Sequence, residues 1–371
     1  MSRFGHGLVI GKFYPPHAGH HFLIRSAADA CERVTVVVMA ADVESIPLAA
    51  RLAWIREAWA AEPRVRVVGT VDNLEVDYDS EEVWAGHVAL MRDAVRAAGP
   101  AGEPPVDAVF SSEPYGVELA RRFGAAPVVL DRPRDTFPVS GTKVRADPVA
   151  HWADLEPPVR AWLTRRVVVL GAESTGTTTL SRDLAEALRA RGGPHGPTGW
   201  VPEYGRELTV AKLAVARALA PADGPGPTVF DLEWGDPDFA LVARRQTEAE
   251  ERAARSGGPV LVCDTDALAT TVWQERYVGA VTPEVRELAA AMPARALYLL
   301  TSEVGVAFED DGLRDGEHLR AWMNGRFREV LAAQPVPWIE VTGSREERLA
   351  TALAAVDRLL AEGPGLADPL G

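Results

Sequence analysis

One short segment of this 371-residue chain contains the histidines His17 and His20, and a second contains two hydroxyls and two cations, Ser140, Thr142, Lys143 and Arg145. The first segment, Gly11–Ile24 (GKFYPPHAGHHFLI), places His17 and His20 after an apolar stretch and at the start of an amphipathic pattern. The second, Val139–Arg145 (VSGTKVR), opens another helical pattern. Helix N-termini carry unpaired N–H groups and a partial positive charge, and both features suit phosphate. The two segments therefore predict a pocket for a nucleoside triphosphate and the transfer of a nucleotidyl group.

Lysine usage supports this interpretation. Among 39 Lys and Arg residues, only Lys12, Lys143 and Lys212 are lysines, which indicates a bias that removes lysine from ordinary surface positions. Because Lys12 and Lys143 stand inside the two segments, phosphate binding is favoured over a solvated surface position. A zinc site has no support, because His17 and His20 lack a Cys or acidic partner at ligand spacing.

Composition and charge restrict the class of protein. The hydrophobic fraction of 47% and the charged fraction of 25% are typical of globular proteins, and no stretch reaches the length of a membrane span. The N-terminus leaves no room for a secretory signal, and Cys31 and Cys263 are expected to be buried free thiols, so a cytoplasmic protein is predicted. The net charge of −14 argues against a nucleic-acid partner. The acidic stretch Asp72–Glu82 is expected to be a solvated loop or a helix start.

Apolar β-rich stretches alternate with helical patterns, which predicts an α/β fold with two doubly wound parallel-sheet domains. Ligands bind such sheets at the carboxyl ends of strands, where Gly11 and Ser111–Gly116 fall. The first domain is expected at residues 1–165, with strands at Leu8–Ile10, Val34–Met39, Val65–Val68 and Val106–Ser111. The second is expected at residues 166–362, with strands at Val167–Leu170, Val260–Cys263, Ala296–Leu300 and Trp338–Val341. Residues 363–371 form a tail that is expected to be frayed.

A second phosphate motif follows the strand at Val167–Leu170. Gly171–Thr178 (GAESTGTT) matches a P-loop in its glycine spacing and hydroxyls, but Thr177 takes the place of the usual lysine. The loop N–H groups can still cradle phosphates and Thr178 can still reach magnesium. Loss of one preorganised cation costs about 3–4 kcal/mol of transition-state stabilisation unless another group replaces it. The predicted P-loop residues are Gly171, Ser174, Thr175, Gly176, Thr177, Thr178 and Thr179.

Taken together, the motifs resemble the bifunctional nicotinamide-nucleotide adenylyltransferase/ribosylnicotinamide kinase family, often called NadR-like. In this family an HxGH nucleotidyltransferase domain precedes a P-loop kinase domain. The resemblance covers nearly the whole chain, from GKFYPPHAGHHFLI through PLAARLAWI, SSEPYG and VSGTKVR to the motifs of the second domain. Some members also carry an N-terminal helix-turn-helix that represses transcription. Here the first strand begins by about residue 8, so this module is expected to be absent.

For the first domain, the resemblance implies that ATP and nicotinamide mononucleotide are joined to give NAD and pyrophosphate. The mononucleotide phosphate is already a nucleophile, so catalysis rests on aligning two anions and stabilising charge, with magnesium (Mg²⁺) offsetting the remainder. Trp54 would stack on the nicotinamide ring, although its place on an amphipathic helix also fits a core residue. The implied residues are His17, His20, Lys12 and Arg145 for catalysis, Gly11, Gly19, Ser140 and Thr142 for ATP, and Phe13, Tyr14 and Trp54 for the mononucleotide.

For the second domain, the resemblance implies ATP-dependent phosphorylation of ribosylnicotinamide. Pro202–Glu207 (PEYGRE) resembles the substrate-side motif, with Glu203 and Tyr204 as nucleoside-binding residues. Asp264 in CDTD would serve as base or, with Thr178, as a magnesium partner. Glu309–Asp315 (EDDGLRD) resembles a mobile lid, in which Arg314 would supply charge to the transferred phosphoryl group.

Two alternatives stay open at this point. The second domain could be a degenerate kinase that only holds or senses nucleotide, because it lacks the P-loop lysine. The first domain could adenylylate another phosphorylated substrate, such as a phosphopantetheine or a nicotinate compound. A homo-oligomer is compatible with the sequence.

Overall fold

The chain divides into two compact units, of which the first comprises Met1–Val159 with Gly363–Gly371 and the second Arg160–Glu362. The structure, a computed structural model, describes residues 3–100, 102–221, 226–309, 314 and 316–370. The division falls earlier in the chain than the boundary expected at residue 165. The tail belongs to the first unit although it follows the second in sequence.

A five-stranded parallel sheet forms the centre of the first unit, with strand order β3-β2-β1-β4-β5. The order reverses beside β1, and the crevice at such a switch point is where ligands bind in doubly wound sheets. The strands are β1 (Phe4–Gly11), β2 (Cys31–Ala40), β3 (Val65–Val71), β4 (Ala108–Ser111) and β5 (Ala126–Val129). The helices are α1 (Ala18–Ala30), α2 (Leu48–Ala58), α3 (Glu81–Ala98), α4 (Tyr115–Phe123), α5 (Gly141–Ala146) and α6 (Pro157–Leu163), the last crossing into the second unit.

Alternation along the strands builds a core on each face of this sheet. Val9 on β1 packs with Ile24 of α1 and Ile55 of α2. Its neighbour Leu8 packs on the other face with Val88 of α3. Successive side chains of a strand point to opposite faces, so a continuous apolar run serves both layers. Each fully buried Val or Leu contributes on the order of 1.5–3 kcal/mol.

The second unit repeats this plan with strand order β10-β9-β6-β8-β7, all parallel. Its strands are β6 (Arg165–Leu170), β7 (Gly199–Val201), β8 (Val260–Asp264), β9 (Leu297–Thr301) and β10 (Trp338–Val341). Its helices are α7 (Thr177–Arg189), α8 (Tyr204–Leu219), α9 (Asp236–Ser256), α10 (Ala267–Val278), α11 (Pro283–Ala291), α12 (Arg320–Ala332) and α13 (Arg345–Ala361). Val168 faces α10 and α12, whereas Val167 faces α7 and α13. The central strand β6 leads at its carboxyl end into the loop at residues 171–176, which precedes α7.

Neither unit offers a helix long and apolar enough to cross a membrane, within the part of the chain that the structure describes. Cys31 and Cys263 are both buried free thiols, as expected. Burial raises the pKa of Cys31 to about 11, so this thiol stays protonated.

Candidate active sites

A cavity of about 250 Å³ lies at the carboxyl end of β1 in the first unit. Several separate segments line it: the loop from β1 into α1 with the start of α1, the loop from β4 into α4, the loop from β5 into α5 with the start of α5, and Pro369 near the C-terminus. The structure therefore brings the histidine segment and the hydroxyl segment to one cavity. Lining residues among those predicted are Gly11, Lys12, Phe13, Tyr14, His17, Gly19, His20, Ser140, Thr142 and Arg145.

The rings of the two histidines lie against each other at the start of α1, tilted by 32°. The ring centroids of His17 and His20 lie 3.8 Å apart, and Phe13 packs on His20 at 4.6 Å. Burial lowers the pKa of His17 to about 3, with the positive charge of Arg134 adding to the effect. Burial and the neighbouring His17 also place the pKa of His20 well below its usual value. Both imidazoles are therefore neutral at physiological pH in the ligand-free protein.

Neither imidazole has its hydrogen bonds completed within the protein. The Nδ1 atoms of His17 and His20 are buried and find no hydrogen-bond partner among the described residues. A buried polar atom without a partner costs about 1–3 kcal/mol. Because both rings line the cavity, a polar ligand there would complete these hydrogen bonds.

Ser140 and Arg145 are placed by the first turn of α5. Ser140 is the N-cap residue, and its hydroxyl accepts a hydrogen bond from the Lys143 N–H at 3.2 Å. Arg145 donates to the Tyr14 carbonyl at 2.8 Å, which ties α5 to the histidine loop. Lys143 is exposed and donates to the Pro138 carbonyl at 2.9 Å, and it is not among the lining residues. Of the two cations in this segment, Arg145 is the one at the cavity.

Arg51 supports the loop from beneath, and the sequence analysis missed it. Its side chain is fully buried and pairs with Glu44 at 2.6 Å. It also donates to the Lys12 carbonyl at 3.0 Å and lies over the Tyr14 ring at 4.4 Å. A buried charge is kept only when it is paired and hydrogen-bonded, so an arginine inside the apolar motif PLAARLAWI was the available signal.

Lys12 lies beside this buried pair. Its ammonium group is 3.7 Å from a Glu44 carboxylate oxygen and donates to the Leu370 carbonyl of the tail. Burial lowers the pKa of Lys12, and the negative charge of Glu44 partly opposes that effect. A second cation that the sequence analysis missed, Arg134, also lines the cavity and donates to the Val139 carbonyl at 2.6 Å. The cavity thus has cations on more than one side.

A larger cavity of about 910 Å³ adjoins the first and shares Lys12 and Thr142 with it. Its wall includes Asp72, Asp77 and the aromatic side chains of Tyr78, Trp84 and Tyr115. The Asp72–Glu82 stretch does contain a helix start, since α3 begins at Glu81, but the expectation of a solvated loop is wrong for Asp72. This carboxylate lies 2.5 Å from His87 Nδ1 inside the cavity. The aromatic residues Tyr78 and Trp84, in and beside this acidic stretch, were a sequence signal that could have indicated a ligand-binding surface.

Trp54 does not fall at either cavity. It lies on α2 with 8% of its surface exposed and is absent from the described residues that line the two cavities. The structure supports the core position that its amphipathic helix suggested. Its stacking role stays a prediction that no geometry in this unit supports.

In the second unit the P-loop joins β6 to α7. Ser174 has φ 56° and Gly176 has φ 88°, so two residues of the loop take the left-handed conformation that turns its N–H groups inward. A Cβ on Gly171 would lie 2.3 Å from the Thr301 hydroxyl, so glycine is required by close packing. Arg348 donates to the Thr175 carbonyl at 2.7 Å and holds the loop from behind. These contacts fix the loop shape without the missing lysine.

A cavity of about 130 Å³ adjoins this loop. The predicted residues that line it are Gly171, Ser174, Thr177, Thr178, Glu203, Asp264 and Arg314. Thr175 is buried and directs its hydroxyl to the Ala172 carbonyl at 2.7 Å, away from the cavity. Thr179, Gly176 and Tyr204 are absent from the described lining. Their predicted binding roles are left without geometric support.

Two carboxyl groups with raised pKa values face this cavity. Burial raises the pKa of Glu203 to about 8, and the negative charges of Asp264 and Glu173 add to the shift. Burial raises the pKa of Asp264 to about 6, although a hydrogen bond from Thr178 opposes it. At neutral pH, Glu203 is protonated and Asp264 is mostly ionised. One group can donate a hydrogen bond while the other accepts a proton.

The raised pKa of Glu203 should make the free energy of unfolding depend on pH. Between about pH 4.5 and 8 the folded chain keeps a proton that the unfolded chain has lost, so the free energy of unfolding falls as pH rises. We expect Glu203→Gln to remove this contribution and to be more stable than wild type at pH 8.5 by several kcal/mol. Urea unfolding at pH 5 and pH 8.5 measures the difference. Glu207→Gln, an exposed residue of the same helix, is the control, and an equal pH slope in wild type and Glu203→Gln would contradict the prediction.

Glu309 and Arg314 are the described residues of the predicted lid, and Arg314 is the cation among them. Arg314 donates to the Ser174 hydroxyl at 2.9 Å and to the Glu309 carbonyl at 2.8 Å. The remaining lid positions, Asp310–Leu313 and Asp315, lie outside the described residues. Its contact with Ser174 puts a cation at the phosphate loop, although not at the position of the usual lysine.

Known proteins resemble the chain in sequence and in structure. Residues 166–348 match the family described as "AAA domain". Over 322 residues the chain is 24% identical to the "Trifunctional NAD biosynthesis/regulator protein NadR" of Escherichia coli (strain K12), covering 83% of this chain and 71% of that protein. The solved structure "Crystal structure of NadR protein in complex with NAD and AMP-PNP" has a TM-score of 0.73 at 22% identity, covering 97% of this chain and 98% of that one. The chain is similar to NadR proteins, in sequence over most of its length and in its fold.

Further matches agree with this assignment. A second NadR structure, "Crystal structure of NadR protein in complex with NR", also has a TM-score of 0.73, at 21% identity and 97% coverage of both chains. The "Nicotinamide-nucleotide adenylyltransferase" of Methanospirillum hungatei JF-1 is 25% identical over 166 residues, covering 41% of this chain and 82% of that protein. The NadR likeness confirms both the expected family and the α/β fold with two parallel sheets.

Proposed function

We propose that the first unit transfers the adenylyl group of ATP to nicotinamide mononucleotide, giving NAD and pyrophosphate. The second unit phosphorylates ribosylnicotinamide. One observation carries the first assignment: His17 and His20, with unpaired buried nitrogens, share a cavity with Ser140, Thr142 and Arg145. The names of the NadR and adenylyltransferase relatives support the same chemistry.

In the first unit the reaction needs no general base. A phosphate oxygen of the mononucleotide attacks the α-phosphorus of ATP, and the bond to the bridging oxygen of pyrophosphate breaks. Negative charge moves onto the departing pyrophosphate, so hydrogen-bond donors placed there lower the barrier. His17 and His20 donate N–H groups, while Lys12 and Arg145 supply positive charge. The neutral imidazoles act as donors at physiological pH, as their lowered pKa values require.

The adjoining larger cavity accommodates the mononucleotide. It shares Lys12 and Thr142 with the smaller cavity, so a ligand in each would meet at those residues. Tyr78 and Tyr115 stack at 6.3 Å with an interplanar angle of 12° and offer a flat aromatic wall to a pyridine ring. The carboxylates of Asp72 and Asp77 suit a cationic pyridinium.

In the second unit, Asp264 accepts the proton of the nucleoside hydroxyl as that oxygen attacks the γ-phosphorus of ATP, and ADP departs. Thr178 and Asp264 offer a hydroxyl and a carboxylate to the same point, which is the hard oxygen donor set that magnesium prefers. Bound there, magnesium would neutralise charge on the phosphates. Among the described residues, no group of three or more His, Cys, Asp or Glu side chains is placed to hold a metal ion. The phosphates of ATP would therefore supply further ligands to magnesium.

Product analysis tests both assignments. The protein is incubated with ATP, magnesium and either nicotinamide mononucleotide or ribosylnicotinamide, and products are identified by mass. NAD from the first mixture and mononucleotide from the second are expected. A phosphorylated substrate other than the mononucleotide, such as phosphopantetheine or nicotinate mononucleotide, is tested in parallel and should react more slowly.

The presence of Thr177 in place of the usual lysine favours a second hypothesis, in which the second unit binds nucleotide without transferring a phosphoryl group. If the loop is impaired, Thr177→Lys should raise the phosphorylation rate by on the order of tenfold or more, because the lysine restores a preorganised cation at the β- and γ-phosphates. The rate of mononucleotide formation measures the effect, and Thr179→Lys, exposed on the same helix, is the control. An unchanged rate would mean that another cation, such as Arg314, already compensates. A native rate no higher than that of an Asp264→Ala variant would leave only the binding role.

A further inference from the structure

The C-terminal segment Gly363–Leu370 follows the second unit in sequence but lies on the first. It leaves α13 through Gly363 and Gly365, whose φ angles of 67° and 63° place both in the left-handed region. Side-chain-bearing residues rarely adopt this conformation, so the glycines permit the turn that directs the segment onto the first unit. The expectation of a frayed tail is therefore wrong.

Hydrogen bonds between described residues hold this segment on the first unit. The Ala367 N–H donates to the Ser45 hydroxyl at 2.7 Å, and the Tyr14 hydroxyl donates to the Ala367 carbonyl at 2.8 Å. The Lys12 ammonium group also donates to the Leu370 carbonyl. The first two bonds fix one residue from both of its backbone groups, which is how a peptide is held in a specific position.

The segment ends where the two cavities of the first unit meet. Pro369 lines the smaller cavity and Leu370 lines the larger one. Both cavities also include Lys12, the cation that the proposed reaction assigns to the triphosphate. The Lys12 ammonium group already donates to a carbonyl oxygen of the segment, so a polyphosphate bound through the same ammonium group would compete with the segment.

We propose that Gly363–Leu370 is an internal competitor of the nucleotide in the first unit, and that ATP must displace it from Lys12. This proposal rests on the proposed function of that unit. The segment is tethered, so its effective concentration is high even though few contacts hold it. When only a fraction of the molecules has the segment released, the apparent affinity for nucleotide is the intrinsic affinity multiplied by that fraction.

Removal of the segment tests the proposal. A chain ending at Glu362 should show a KM for ATP in adenylyl transfer that is lower by roughly threefold or more, with kcat little changed. Ser45→Ala, which removes one acceptor and lies outside the cavities, should shift KM in the same direction by less. Phosphorylation of ribosylnicotinamide by the second unit is the internal control and should not change. An equal or higher KM in both variants would overturn the proposal.

A binding measurement separates this proposal from the proposed function. A fluorescein-labelled peptide of residues 363–371 is added to the chain ending at Glu362, and its anisotropy is followed as AMP-PNP with magnesium is titrated. Binding of the peptide and its release by the nucleotide support the competition even if no NAD is formed. If NAD forms but the peptide does not bind, or stays bound at saturating nucleotide, the competition is excluded and the enzymatic assignment stands. If the truncated chain does not fold, protection of the segment from a protease in wild type and Ser45→Ala, with and without nucleotide, gives the same decision.

Discussion

The His20→Ala variant is expected to stay folded and to lose adenylyl transfer by on the order of a hundredfold or more, because one preorganised donor at the reacting phosphates is removed. His20 lies in the cavity with a buried Nδ1 that has no partner among the described residues. Its ring packs against those of His17 and Phe13. The loss should appear mainly in kcat, because the hydrogen bond strengthens as charge develops. Initial rates of NAD formation at saturating substrates measure it.

His21→Ala is the matched control for this variant. His21 is adjacent in sequence and half-buried, but it is absent from the residues that line the cavity, and its Nδ1 accepts a hydrogen bond from Trp59 at 3.1 Å. A loss of stability without a loss of rate is expected there. Near-normal turnover in His20→Ala, with a circular dichroism spectrum like that of wild type, would reject the assignment of the first site.

The second large effect is expected for Asp264→Asn, which should lower phosphorylation of ribosylnicotinamide by on the order of 10²–10⁴-fold, the range for removal of a general base. The amide keeps the shape of the side chain but cannot accept the proton. In wild type, kcat/KM should rise with pH through about 6, where the Asp264 carboxyl loses its proton. This rise should be absent in the variant.

Asp357→Asn provides the comparison for Asp264→Asn. Asp357 is an exposed carboxylate of α13 that pairs with Arg191 at 2.6 Å, and it is not among the residues that line the cavity. Adenylyl transfer by the same preparation reports whether the first unit is intact. An Asp264→Asn rate within a few-fold of wild type, or an unchanged pH profile, would exclude Asp264 as the base.

Local sequence patterns were sufficient to predict eight of the ten described strands and the two loops that line the cavities, but they missed the short strands β5 and β7. Apolar runs such as Val167–Leu170 are short, bounded by glycine and rich in β-branched residues, so they indicate buried parallel strands. The strand predicted at Val34–Met39 is observed as Cys31–Ala40, which is the same element with longer ends. The loop glycines could be predicted because a positive φ or a close approach leaves few other choices.

Contacts between distant segments were beyond local patterns. The docking of Ala367 on Ser45 and Tyr14 joins residues more than 300 positions apart, and no periodicity encodes it. Trp54 illustrates a different limit, because an amphipathic helix does not tell whether its tryptophan faces a core or a ligand. The acidic stretch that begins at Asp72 predicts a solvated loop, because charged stretches are usually solvated, yet Asp72 lines the larger cavity. In each case the outcome depends on which surfaces meet, and this requires the three-dimensional structure.

The buried Arg51–Glu44 pair has a consequence for how this enzyme can be altered. Because Arg51 grips the Lys12 carbonyl while its charge is neutralised in the interior, exchange of either partner alone strands a charge in an apolar region and also loosens the loop that carries the lysine. Laboratory evolution or sequence drift would have to replace both together, with apolar side chains of similar volume. Such a double replacement can preserve the fold and yet leave Lys12, the proposed catalytic lysine, without its anchor, so a stable descendant of this protein can lack the proposed activity.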